Sequence, residues 1–572
     1  VSRVCADRDV GLGHAELVRL MPVQAIVNQD FSKGSNVSTN PWAVGKQQSI
    51  LVVNMTLDEQ ASLRTRDGTS LLTTSPDTPP DIRPIVKLFD YVKADGTVIH
   101  LAIIRGSSGF NQLYNYGTVG WTLIGTLGTQ YAVPDILTFT NLALIANGYE
   151  VPWSYDGTSL IPLIDTPTTG SVPPGALHHT LHQGYYWVWN TAPASAGSGV
   201  VTPTTAYVGP SALQSSDLNN PNSWPLANQI FIDKDDGDQG MGMGQFTIAE
   251  SGISPSTSQI LFKTYKAYQM TGVFGSTSPA FAIQKIKSDM GCVAPRTIQF
   301  APGFGLLRMT HRGVSKFNGV DDKLVSEEIR PIIFGSDLYI GLDWANIGTA
   351  VAAVVSNPPL YLCAVPVVGT PGLTRVLCYD LVREAWTILT YPFAIASLAA
   401  HFHVADPPHL LMGGYSDGKI HHTEGQETDD EGTPISWQWL PRPASAPSPQ
   451  ANGFFRRLVL KVTNVVAGQL IDVTVVFGPA VSNPPQTISK SLVCPVAVGL
   501  GLGFGIQPFG TSPFGGTGTN AEADLTMDLG LIATNARAII GGTGPIRIRG
   551  IEYHVSPKPL RRVSVYTEQI NA

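Results

Sequence analysis

Charge is scarce in this sequence. Asp, Glu, Lys and Arg together make up 14 % of it, little more than half of what a soluble domain ordinarily carries. Low charge with 43 % apolar residues excludes a disordered chain, which needs the opposite balance. Cysteine is nearly missing: Cys5, Cys292, Cys363, Cys378 and Cys494 are odd in number and scattered. They form neither a disulfide framework nor a paired-cysteine metal motif. Only Cys363 and Cys378 are spaced to fall on neighbouring strands, and buried free thiols are expected there rather than a bridge. No apolar run reaches the ~18 residues of a membrane span, and the nearest, 493–506, is broken by Gly and Pro. The opening ten residues are too charged for the apolar core of a secretion signal, so assembly in a cytoplasm is expected.

Catalytic signatures are missing as well. There is no Gly-x-Ser-x-Gly elbow and no His-Glu-x-x-His, and the glycine-rich stretch 237–244 is not followed by Lys-Ser/Thr as a phosphate loop would be. The Ser…Asp-Gly turns at 154–157 and 416–418 lack the Thr-Trp that follows in sialidase Asp-boxes. No catalytic residue and no cofactor is assigned.

Turn formers are abundant: 58 Gly and 43 Pro suit an all-β protein of many short strands. One hairpin plan recurs. Val376 to Tyr379, a polar turn from Asp380 to Glu384, and a return strand led by Trp386 are its fullest copy. Variants follow at 112–124, 152–161, 313–320 and 414–421, each with Asn, Asp or Gly at the turn. Tyr114 lies 41 positions before Tyr155, and Tyr379 lies 41 before Ile420. That spacing matches the ~40–50 residues of a four-stranded propeller blade. A β-propeller of six to eight blade-like units is therefore predicted over 61–440. Ahead of it, 1–60 reads as an extended N-terminal arm, helical only near 14–20, that joins a platform. Residues 441–450, with several prolines, read as a semi-rigid linker. The alternating segments in 451–572 predict a β-sandwich completing that platform.

Charge is also unevenly placed. Residues 1–450 hold 26 basic and 37 acidic residues, and 451–572 hold 10 and 6. An acidic body argues against tight nucleic-acid binding by the propeller. The acidic run at 233–238 offers Asp233, Asp235, Asp236 and Asp238 as oxygen ligands. A calcium loop of the EF-hand kind needs Gly at its sixth position and Glu at its twelfth. Here Gly237 falls fifth, which favours a solvated turn. Histidines gather at 178, 179, 182, 401, 403, 409, 421 and 422. His401 and His403 would share a strand face, but no Cys or carboxylate stands at ligand spacing, so ordinary strand and loop histidines are expected. Arg456, Arg457, Arg547, Arg549, Arg561 and Arg562 fall on the C-terminal strands, either as a solvated face or as subunit contacts to acidic partners. Phe504, Phe509 and Phe514 lie in a Gly-rich loop that is either a flexible linker or a docking element.

Three stretches together resemble the nozzle (tail tubular protein B) family of short-tailed bacteriophages. The opening, with 30–34, Asn40-Pro-Trp42 and 63–68, is similar to the family's arm and short basic hairpin. Trp153 to Gly157 and Arg312 to Gly319 are similar to its propeller hairpins, and 454–461 with 548–553 to its sandwich. The resemblance implies a non-enzymatic virion protein of the tail, in a ring of six copies below portal and adaptor proteins. It implies contacts to tail fibres or spikes, a host outer surface at the far end, and loops that gate the passage. Double-stranded DNA would traverse the ring without specific binding, and an acidic wall suits that, because neutralised phosphates would hold the duplex. Two alternatives stand beside it. A receptor- or glycan-binding propeller would present Trp121, Trp153 and Trp386 to solvent. A propeller glycoside hydrolase would oppose two carboxylates on the central axis.

Overall fold

Alternation decides the C-terminal strands. Ala523–Ala533 buries every second side chain from Ala523 to Leu529, and Leu470–Phe477 follows the same rule, so each lays one face on a shared core. Earlier strands behave differently. Gly305–Thr310 is buried at all six positions, as a strand must be when both faces of its sheet are covered. A computed structural model describes residues 23–558, except 73–82, 107–108, 118–119, 130–132, 149, 164–173, 193–208, 249–255, 274–279, 402–408, 424–426, 447–451, 479–484 and 496–522.

Within those residues, five antiparallel four-stranded sheets follow one another at 85–129, 135–162, 175–231, 240–285 and 294–324. A sixth spans 351–401. Its last strand, Ala385–His401, is long enough to serve twice. Its first half pairs with Leu373–Asp380, and its second half pairs with His409–Gly414 to begin a seventh sheet. Ile420–Thr423 continues that sheet, and Ser70–Leu71, from the other end of the chain, supplies its fourth strand. The first strands of the seven sheets touch in a closed cycle, blade seven returning to blade one. The apolar core is cut the same way, with a separate cluster at every blade junction. For example, Val86, Leu113, Ile136 and Tyr155 join blades one and two, and Ile85, Tyr114, Leu411 and Ile420 join one and seven. The remaining junctions each have their own cluster. The chain is a seven-bladed β-propeller carrying a second domain.

That second domain is a β-sandwich. One sheet holds Met55–Leu57, Leu63–Thr65, Arg547–Lys558, Asn452–Thr463 and Ala523–Ala533, with Gln24–Asn28 added to Arg547–Lys558. The facing sheet holds Leu51–Val53, Ser436–Leu440, Asn535–Thr543, Leu470–Phe477 and Gln486–Val493. Phe31, Trp437, Trp439, Phe455, Ile471 and Ile540 are among the buried residues between them. Sandwich and propeller are continuous, because Leu51–Val53 also meets the last strand of blade six in parallel, Val53 opposite Ile388.

Three expected boundaries move. The propeller was placed at 61–440, but Leu63–Thr65 and Ser436–Leu440 belong to the sandwich. Residues 441–450 were expected to form a linker. In their described part Ala444–Ser445 pairs with Asn535–Thr543, and Ala444 and Ala446 are buried. The prolines there punctuate an edge strand instead of a spacer. The arm does join the platform, through Gln24–Asn28 and Leu51–Leu57. Its helix-like piece at 14–20 lies outside the described residues.

Candidate functional site

A propeller gathers side chains from many sequence positions onto its axis, since every blade contributes its first strand there. Lys87 of blade one reaches Asp135 of blade two at 2.5 Å, and the Asp135 carboxylate lies 3.8 Å from Nε2 of His179 in blade three. Asp135 keeps 42 % of its side-chain surface accessible, while the His179 side chain is fully buried. Burial opposes the charge on Asp135. Lys87, His179 and the Ile136 amide outweigh that and hold the acid well below the usual carboxylate range. Burial works the other way on the two imidazoles and lowers His178 and His179 to about 4, although Asp135 pulls each upward. His179 is neutral at pH 7, with Nδ1 3.0 Å from the Tyr186 hydroxyl.

Two arginines lie at the face where the first strands begin. A cavity of about 310 Å³ is lined by Pro84, Arg105, Val133, Arg296, Thr349 and Tyr415, among others. Arg296 sits where the first strand of blade five is irregular, between Ala294 and Gln299. Thr297 fills that bulge, its hydroxyl donating to the Ala294 carbonyl and accepting from the Met309 amide. Arg296 Nη2 donates to the Thr349 carbonyl at 2.6 Å. Burial disfavours its charge, Asp135 opposes that effect, and Arg105 adds to it. Blades two and five lie almost opposite in a ring of seven, so only the axis brings Asp135 and Arg296 within each other's field. Among the described residues neither Arg105 nor Arg296 has a carboxylate within ion-pair distance, and Nε of Arg105 is buried with no hydrogen-bond partner.

The acidic loop explains itself. Lys263, fully buried, inserts its ammonium among the Asp233 carbonyl (2.9 Å), the Asp236 carboxylate (2.8 Å) and the Ser211 hydroxyl (3.2 Å). Lys266 takes the other Asp236 oxygen, Tyr268 donates to Asp233, and the Thr264 and Tyr265 amides donate to Asp238. Burial would raise Asp236, but the two lysines hold it far below its usual range. Lys263 thus stands where a cation was considered, and the four aspartates are not gathered for a metal. No metal-holding group of three His, Cys, Asp or Glu occurs among the described residues.

The basic C-terminal residues separate. Arg456 and Arg457 are both exposed, since a bulge between Phe455 and Arg457 breaks the alternation. Arg547 is occupied, its Nε donating to Asp58 and to Ser62 Oγ (3.0 Å). That contact fastens the 55–65 hairpin to the sandwich. Arg549 is exposed near Gln60. Arg561, Arg562, Phe504, Phe509 and Phe514 lie outside the described residues, as do His403 and the side chains of His401 and His409. Trp386, considered as a glycan platform, is fully buried, donates to the Val325 carbonyl at 2.7 Å and packs 4.6 Å from Tyr379. Trp121 is partly covered by Tyr114 and Tyr116, and Trp153 is half-buried. Cys363 and Cys378 are on adjacent strands but one position out of register, so they enter different cores and remain free.

One constellation had no separate signal in sequence. His421, buried in blade seven, stacks on Phe393 at 3.5 Å and 7°. Its Nε2 lies 2.9 Å from Asp417, and its Nδ1 bonds Glu431. Next to it, Arg66 and Asp430 pair beneath Tyr391, with the guanidinium 4.1 Å from the ring centre.

No family model matches the chain, and no curated protein matches it. Among solved structures it is similar to BBS1N in complex with ARL6DN, at 10 % identity and TM-score 0.37, covering 63 % of this chain and 98 % of that one. It is also similar to BamB from Moraxella catarrhalis (10 %, TM-score 0.30, 65 % and 96 % covered) and to PorZ of Porphyromonas gingivalis (8 %, 0.33, 66 % and 44 %). Likenesses this distant carry no functional argument, and the seven-blade count rests on this chain's own strand pairing.

Proposed function

We propose that this chain is a structural component of a bacteriophage tail, forming the nozzle ring below the portal and adaptor through which the genome leaves. One observation carries the reading. Both ends of the described chain are woven into one sandwich, and a continuous sheet fixes that sandwich to the rim of the propeller. A rigid block of two domains is what a ring wall needs. Its exposed Arg456 and Arg457 offer forked donors to acidic neighbours. In this reading six copies surround the passage, with fibres or spikes attached outside and the host surface at the far end.

The passage is then the hole between subunits. A cavity of about 310 Å³ on the propeller axis does not admit a duplex whose major groove alone is ~12 Å wide. Native mass measurement with negative-stain imaging tests the reading, with closed rings of about six copies expected. A protein that stays monomeric at every concentration overturns it.

A receptor- or glycan-binding tail protein is the second reading. The arginine-lined cavity favours it, since ligand pockets combine concavity with a few convergent polar groups. Binding on a glycan array without ring formation would select it.

A further inference from the structure

We propose that the axial cavity of the propeller is an oxyanion-binding site, with Arg105 and Arg296 taking a phosphate or carboxylate group of a small ligand. The proposal does not depend on ring formation. It rests on a mismatch between what the cavity holds and what its walls require. Two guanidinium groups face about 310 Å³ of open space, and neither has a carboxylate partner among the described residues. An arginine keeps its proton at any accessible pH, so their mutual repulsion cannot be relieved by titration.

The carboxylates nearby are committed elsewhere. Asp343 also lines the cavity, but its oxygens take the Ala345 amide (3.1 Å) and the Asn346 side-chain amide (2.8 Å) of its own turn. Asp135, outside that lining, is held by Lys87 at 2.5 Å. What remains is a net positive cavity inside a propeller whose sequence is acidic. Tyr415 adds a hydroxyl at its wall, whereas those of Thr349 and Thr370 already donate to the Asn346 and Val367 carbonyls at 2.7 and 2.9 Å. The Nε of Arg105 is buried and unbonded, so a ligand in the cavity would meet its terminal nitrogens instead. An oxyanion between the two guanidinium groups pairs both charges at once, through charge-assisted bonds of the kind arginine makes best.

Calorimetric titration of the whole protein, at constant ionic strength set with chloride, tests this using inorganic phosphate and glucuronate as separate probes. Saturable binding of either at or below about 10 mM is expected, and the tighter of the two names the chemistry. Arg105→Gln should weaken it by about tenfold or more. The same substitution should leave the melting temperature of the ligand-free protein unchanged or raised, because it removes a repulsion, and should abolish the upward shift that phosphate gives the native protein. No saturable heat with either probe overturns the proposal. So does an Arg105→Gln protein that binds both as the native one does, or one that melts lower without ligand, which would make Arg105 a structural residue.

Discussion

Arg66 and Asp430, 364 residues apart in sequence, form a two-armed ion pair, Nη1 to Oδ1 at 2.8 Å and Nη2 to Oδ2 at 2.6 Å, with both side chains almost fully buried. Arg66 also donates to the Thr390 carbonyl at 2.8 Å. Thr390 in turn gives its amide to Asn54 at 2.7 Å. The two strand systems therefore meet at a polar knot with its donors and acceptors matched, and that matching makes buried charge tolerable.

Removing one partner strands the other. Arg66→Met or Asp430→Asn should each destabilise the protein by about 3–5 kcal/mol, and Arg66→Met/Asp430→Leu together by less than the sum. Urea unfolding midpoints check this. A single variant that unfolds with the native midpoint would show that the knot does not hold the seam.

Acid should loosen the propeller axis before it protonates the carboxylates. His178 and His179 are lowered to about 4 in the fold, whereas an unfolded histidine titrates near ~6.5. Between these values the unfolded chain binds more protons, so stability is complete above about pH 6.5 and declines as the pH falls toward 4. Melting temperatures taken across that window should drop, and His179→Gln should flatten the slope. A native protein whose melting point rises on mild acidification contradicts the assignment.

Calcium should be irrelevant to the native acidic loop. Lys263 already fills it, so melting curves in calcium and in chelator should coincide. Lys263→Met leaves Asp236 with Lys266 as its one cation beside the Asp238 amide and should cost about 3–5 kcal/mol, read from the shift in thermal midpoint. A chelator that lowers the native midpoint refutes this account.

Gly34 is where the arm lies against blade six. Its φ is +59°, and a Cβ there would stand 2.6 Å from the Trp386 carbonyl oxygen, the atom that accepts from the Ser35 amide at 2.8 Å. Gly34→Ala should cost about 1–3 kcal/mol or more and open the arm to proteolysis. Gly209→Ala, with no described atom within 4 Å of the same position, should do neither. Equal protease resistance in both variants would show that the contact is slack.

Much of the propeller was legible because its information is local. The turn at Asp95-Gly96, with Gly96 at φ +84°, joins Ile85–Val92 to Val98–Arg105, an Asp-Gly signal readable from sequence alone. The 41-residue spacings link equivalent third strands, Tyr114 with Tyr155 and Tyr379 with Ile420. The number of blades was not legible. Ala385–His401 serves two sheets as one unbroken strand, with Pro392 alone near the change, and Ser70–Leu71 closes the ring on strand geometry alone. Partners far apart in sequence left no trace either. Arg547 could be seen as basic but not as bound to Asp58, and Lys263 gave no sign that it would fill an acidic loop. The axial cavity was invisible for the same reason: Arg105 and Arg296 belong to blades one and five, and only ring closure places them together.

The strand Ser70–Leu71 has a consequence for how the molecule comes apart. Because the leading segment completes both the last blade and the sandwich, scission of the backbone at one loop between blades frees neither piece. A protein nicked once in this way would run as two bands after denaturation yet elute as one undiminished particle beforehand. The fold is a clasp, and only unfastening it from within separates its halves.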